Sequence, residues 1–128
     1  MSEPVIPARA KLFIGVLFSS EVILDAVEKA LVKKFGGMDF RTKNIPFVHT
    51  RYYPDMGSAK FKVLFSFRRL IRREDIVEIK LYTNRLEKRF AENKTRNVNI
   101  DPGYLTLSNV YLATCRDFFH RTYLRKGV

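Results

Sequence analysis

The run Lys11-Leu12-Phe13-Ile14-Gly15-Val16-Leu17-Phe18 constrains this chain more than any other stretch, because it is apolar at both odd and even positions. A strand with one wet face alternates, whereas a strand covered on both faces does not, so Lys11–Phe18 reads as a central strand of a sheet. Everything that follows must supply its neighbours and its cover. Ser19 or Ser20 can cap a helix whose stripe is Ile23, Ala26, Val27, Ala30, Leu31 and Phe35, and Gly36-Gly37 ends it. Pro46–Tyr53 and Lys60–Phe67 read as two extended runs joined by the loop Pro54-Asp55-Met56-Gly57-Ser58. In the second run Phe61, Val63, Phe65 and Phe67 share one face, and Lys60, Lys62 and Ser66 share the other.

A long helix follows from about Arg73 to Ala91, lined by Ile76, Ile79, Tyr82, Leu86 and Phe90, with Glu74 and Asp75 in its first turn where the helix dipole favours them. Asn97–Ile100 reads as a short strand that ends at the turn Asp101-Pro102-Gly103. The order β-α-β-β-α-β predicts an α+β protein with a ferredoxin-like core. Asn109–Thr114 and Phe118–Leu124 are further extended pieces, and Arg125-Lys126-Gly127 is a turn signal. The expected organisation is a loose arm over residues 1–10 and one domain over 11–128 that stops inside a C-terminal hairpin.

At 128 residues, with 46% hydrophobic side chains, the chain has the composition of one folded domain. The lone Cys115 excludes an intrachain disulfide and fits a reducing cytoplasmic compartment. No apolar stretch reaches the length of a membrane span. The formal charge of +11 is concentrated: residues 40–73 hold nine Lys/Arg against Asp55 alone, and residues 116–128 hold four against Asp117. That field favours anionic partners, either a small phosphorylated molecule or nucleic acid.

Arg68, Arg69, Arg72 and Arg73 lie between a strand and a helix start, where cations oppose the dipole unless an anion sits there, and arginine forks suit phosphate oxygens. Four solvated arginines are the plainer reading. Asp101, Asp117 and His120 are the grouping with catalytic residue types. On a helix, Asp117 and His120 would share a face and could form an oriented base; on a strand they would diverge. Asp101 can equally hold a turn, and His120 beside Phe118 and Phe119 can equally be packing. His49 and His120 are too far apart in sequence to suggest a metal site. Tyr52-Tyr53 with His49 and Arg51 interleaves aromatic and basic groups as RNA-binding sheets do, without an RNP-type octamer. No glycine stands in a P-loop frame.

The blocks Lys11-Leu12-Phe13, Tyr52-Tyr53-Pro54-Asp55-Met56-Gly57, Ile79-Lys80-Leu81-Tyr82-Thr83-Asn84, Asn99-Ile100-Asp101-Pro102-Gly103-Tyr104-Leu105 and Ala113-Thr114-Cys115-Arg116-Asp117-Phe118-Phe119-His120-Arg121 resemble one uncharacterised prokaryotic family, a domain of unknown function (family 4416). Its members are sometimes labelled GTP-binding proteins and usually continue past the position of Val128 with a strand that returns along Phe119–Leu124. The resemblance implies no established activity. Members tend to carry an Asp-Pro cap where this chain has Arg72-Arg73, so the arginine cluster departs from the family pattern.

Together these readings predict a binding domain for a phosphorylated or nucleotide-like anion. The expected ligand residues are Tyr53, Asn99, Asp101, Tyr104 and Arg121, with Asp117 and His120 orienting or moving protons and the four arginines binding anion. An RNA-binding module and a small enzyme using Asp117 and His120 are the alternatives. Phe118–Leu124, if it lies at a sheet edge, predicts a homodimer paired through that strand.

Overall fold

The computed structural model describes residues 1–47, 61–92 and 95–128. The elements are β1 (Lys11–Phe18), α1 (Glu21–Phe35), β2 (Met38–Arg41), β3 (Ile45–Pro46), β4 (Phe61–Phe67), α2 (Ile76–Arg89), β5 (Val98–Leu105) and β6 (Val110–Leu112), with a 3-10 turn over Arg73–Asp75 leading into α2. They form an α+β protein with a six-stranded sheet ordered β2-β4-β1-β5-β6, in which β3 also pairs with β4 and every pairing is antiparallel. Among the described residues no helix is long and apolar enough to cross a membrane.

β1 is central, as its two-sided apolar pattern predicts. Val16 pairs with Val63 on one side and with Ile100 on the other. Leu12, Ile14, Val16 and Phe18, with Val63, Phe65, Phe67, Val98 and Ile100, bury one face of the sheet under Leu24, Val27, Leu31 and Phe35 of α1 and Ile79 and Leu86 of α2. Each large side chain so buried contributes roughly 1.5–3 kcal/mol relative to exposure. The Ser20 Oγ accepts a hydrogen bond from the Ile23 N–H at 3.3 Å, which caps α1. Gly36 ends the helix at a φ of 91°, where its N–H reaches the Val32 carbonyl.

Four expectations need correction or extension. Asp101-Pro102-Gly103 is no turn, because β5 runs straight through it. The Pro102 carbonyl accepts from the Ala113 N–H at 2.9 Å on the side away from β1, so the N–H that proline lacks, on that same side, removes no bond of the β1 ladder. Phe118–Leu124 forms no strand. Its bonds are local: the Arg121 N–H donates to the Phe118 carbonyl at 2.9 Å, and the Phe118, Phe119 and His120 rings pack on one another at about 5 Å. The sheet edge on which strand-paired dimerisation was to rest is therefore not formed by this segment. β2 has no counterpart among the predicted elements, since Met38–Arg41 is too short for its alternation to register. Of the run Pro46–Tyr53, the part after Phe47 lies outside the described residues, as does the loop Pro54–Ser58.

The predicted turn at Arg125–Gly127 is present, with Lys126 and Gly127 at φ 53° and 79°, and it seats Val128 against Ile76 and Val77. Residues 1–9 are exposed, but Ala10 is buried and exchanges two backbone hydrogen bonds with Ile71, both of 2.9 Å.

Candidate functional site

Asn99 and Asp101, the centre of the predicted ligand site, belong to a polar network between β5 and α2. β6 pairs with Gly103–Leu105, so among the described residues the outer edge of β5 before that point has no strand neighbour. Side chains of α2 take its place at Ile100. The Glu87 carboxylate accepts from the Ile100 N–H at 2.7 Å, and the Lys80 Nζ donates to the Ile100 carbonyl at 3.3 Å. Lys80 and Glu87 are two helical turns apart and therefore on one face.

The network continues outward. Lys80 reaches Asp101 Oδ1 at 3.4 Å, Asn99 Nδ2 donates to Asp101 Oδ2 at 2.6 Å, and Arg96 Nη1 donates to both Asn99 Oδ1 and Glu87 Oε2, at 2.9 and 3.3 Å. Lys80, Glu87 and Asn99 are each buried. Burial pushes the Glu87 carboxyl above the ordinary glutamate range, against the lowering effect of the Ile100 hydrogen bond and of Lys80 and Arg96. Every strong acceptor and donor here already has a protein partner, so the network holds a strand edge. Sequence reasoning missed Lys80 and Glu87 because each is adjacent to a hydrophobic stripe position. The available signal was their recurrence with Thr83 at helical spacing.

Among the described residues, the other predicted ones make no hydrogen bond, ion pair or ring contact with Asn99 or Asp101. Asp117 and His120 are exposed in a segment without helix, so the shared helical face that would make them an oriented pair is absent. Among the described residues neither makes a hydrogen bond or ion pair, and His120 packs edge-on against Phe118 and Phe119, with ring centres 5.2 and 5.1 Å away. Arg121 donates to the Arg116 carbonyl at 2.7 Å and lies 5.9 Å from the Phe118 ring centre. Tyr104 stacks at a tilt on Tyr111, 5.1 Å between centres, and its phenol is pushed up first by burial and then by Tyr111. Tyr53 lies outside the described residues, as do His49, Arg51, Tyr52 and Lys60.

The four arginines separate. Arg69 Nη2 donates to the Lys34 carbonyl at 3.2 Å, at the C-terminal end of α1. Arg72 forks onto Asp75 at 3.2 and 2.9 Å, and Arg73 Nε donates to the Ala8 carbonyl at 3.0 Å. The Arg68 N–H bonds the Gly37 carbonyl at 3.0 Å. Of the four, Arg69 lines a cleft whose other walls come from α1 and α2.

That cleft, of about 620 Å³, lies between the end of α1, α2 and the β4–α2 connection. Phe35, Ile71, Ile79 and Tyr82 provide its apolar lining, and Arg9, Lys34, Arg69 and Arg85 its cations. The lining also holds Asp75 and Glu78, but both are engaged by cations that do not line the cleft. Asp75 takes the Arg72 fork. Glu78 accepts from Lys126 at 2.7 Å, and this bond, more than the weaker fields of Arg125 and Arg85, holds its carboxyl below the usual range. Arg9 and Arg85 make no hydrogen bond or ion pair among the described residues, and the contact of the Lys34 ammonium is with the Tyr82 ring, 5.3 Å to its centre. The cleft thus offers spare guanidinium donors over an aromatic and aliphatic floor. Arg9, Lys34, Arg69 and Arg85 are dispersed along the chain, so no local motif announces them.

The family model described as Domain of unknown function (DUF4416) matches residues 8–128. No curated protein and no solved structure gives a match.

Proposed function

The chain belongs to this family of domains of unknown function, and we propose that it binds a phosphorylated or nucleotide-like anion in the cleft between α1 and α2. One observation carries this reading: four cations meet at one cavity, while the two carboxylates of that cavity are already paired with Arg72 and Lys126. Guanidinium groups donate to phosphate oxygens in pairs, and charge-assisted bonds of this kind are about twice as strong as neutral ones. The apolar floor of Phe35, Ile79 and Tyr82 suits a ring or aliphatic body attached to the phosphate.

This site differs in place from the one centred on Asp101, and it keeps Arg69 alone of the residues nominated from sequence. The strand order, with β1 between β4 and β5 and the βαβ halves interleaved, supports reading the scaffold as ferredoxin-like, with both helices on the face that carries the cleft. The exposed thiol of Cys115 accords with a reducing cytosol.

Calorimetric titration at low salt with inorganic pyrophosphate, ATP and GTP tests the reading. All three should bind with one-to-one stoichiometry, the nucleotides more tightly than pyrophosphate because the floor adds contact. Arg85→Glu, an exposed substitution that exchanges only a weak field at Glu78, should weaken each by more than about tenfold with a small change in melting temperature. Equal affinity of wild type and Arg85→Glu, or no saturable binding at all, would overturn it.

A further inference from the structure

Arg73 does not line the cleft, yet it fixes the segment that does. Arg9 stands between two anchored neighbours. On one side Ala10, 1% exposed, is tied to Ile71 by paired backbone bonds of 2.9 Å. On the other, Arg73 Nε holds the Ala8 carbonyl at 3.0 Å. Ile71 and Arg69 line the same cleft as Arg9, so the anchors and the cation they hold belong to one continuous wall.

Resting on the anion-binding reading above, we propose that Arg73 is a positioning residue that acts through Arg9, and that anion binding and docking of residues 8–10 strengthen one another. The physical reason is pre-organisation. An arginine on an undocked segment must lose backbone and side-chain freedom when it meets a phosphate, and the Arg73–Ala8 bond removes part of that cost beforehand. Linkage then makes the effect reciprocal: whatever factor docking adds to anion affinity, the anion adds to docking. Residues 8–10 become a strap that the ligand tightens, with Arg9 as its contact.

The test uses pyrophosphate with the full chain and two readouts. In calorimetry, Arg73→Ala should weaken pyrophosphate about fivefold, the loss expected for one charge-assisted bond acting at a remove. In an Arg9→Ala background the same substitution should have no further effect. By NMR, saturating pyrophosphate should slow hydrogen exchange of the Ala10 amide by a comparable factor in wild type and not in Arg9→Ala. An Arg73→Ala loss that persists without Arg9, or an Ala10 amide indifferent to bound pyrophosphate, would overturn the positioning role and leave the anion site standing. Failure of wild type to bind pyrophosphate would instead remove the anion site itself, and the strap with it.

Discussion

Glu87→Leu is expected to destabilise the protein by about 3–5 kcal/mol, the range for removing one partner of a buried charged network. The substitution preserves helix propensity and approximate side-chain size. It leaves the Ile100 N–H without an acceptor at a sheet edge and takes a counter-charge from Arg96 and Lys80. Glu87→Gln, which keeps an acceptor for Ile100, should lose much less, and chemical denaturation with far-UV detection separates the two. The pH dependence has a definite sign. Burial raises the carboxyl of Glu87 in the folded state, so the native protein takes up this proton before the unfolded chain does. Its contribution is complete below the unfolded glutamate range and is lost as pH rises through the folded value. Asp39 and Glu78, both lowered by lysine hydrogen bonds, act in the opposite sense and lose their contribution as pH falls. In Glu87→Gln the gain from Glu87 disappears, so stability should fall more steeply with acid than in wild type.

Gly103→Val should be nearly as damaging and should act on a different part of the sheet. A Cβ at this position would lie 2.3 Å from Phe13 Cζ and 2.3 Å from the backbone oxygen of Tyr111. The phenylalanine ring could turn aside, but the Tyr111 carbonyl belongs to β6 and can yield only if that strand moves. Overpacking of this kind costs about 1–3 kcal/mol where neighbours relax, and more where backbone must shift. The expected result is a loss of at least about 2 kcal/mol, with amides of Val110–Leu112 exchanging much faster while those of β1 with β4 stay protected. Uniformly raised exchange across the sheet would mean that β6 is not the element displaced.

These two positions also show where sequence reading succeeds and where it stops. β1, β4 and both helices were legible because each carries its own period, and the two-sided run at Leu12–Phe18 settles its central place unaided. Asp101-Pro102-Gly103 misleads because proline and glycine usually break a strand. Whether they do depends on which side the missing N–H falls and on what crowds the glycine, and both are set by partner strands distant in sequence. The same limit governs the site. Charge density along the chain points to Arg68, Arg69, Arg72 and Arg73, but neighbouring residues at a bend point different ways: Arg72 and Arg73 are taken up by Asp75 and the Ala8 carbonyl, and Arg68 is not in the lining of the cleft. Arg9, Lys34 and Arg85 are unremarked in sequence and come together only because α1, α2 and the β4–α2 connection meet. Lys80 and Glu87 were hidden for a related reason: the edge they close exists only once β6 has been seen to stop at Gly103.

Arginine side-chain NMR is the most direct measurement of the central claim, that the α1–α2 cleft is an anion site. With the Nε–Hε signals assigned by single substitution, pyrophosphate should move those of Arg9, Arg69 and Arg85 along one saturable curve. The signal of Arg41, which is paired with Glu28 at 3.0 Å and lies outside the cleft, should stay still. Shifts confined to Arg116, Arg121 and Arg125, or no saturable shift in any arginine, would contradict the account.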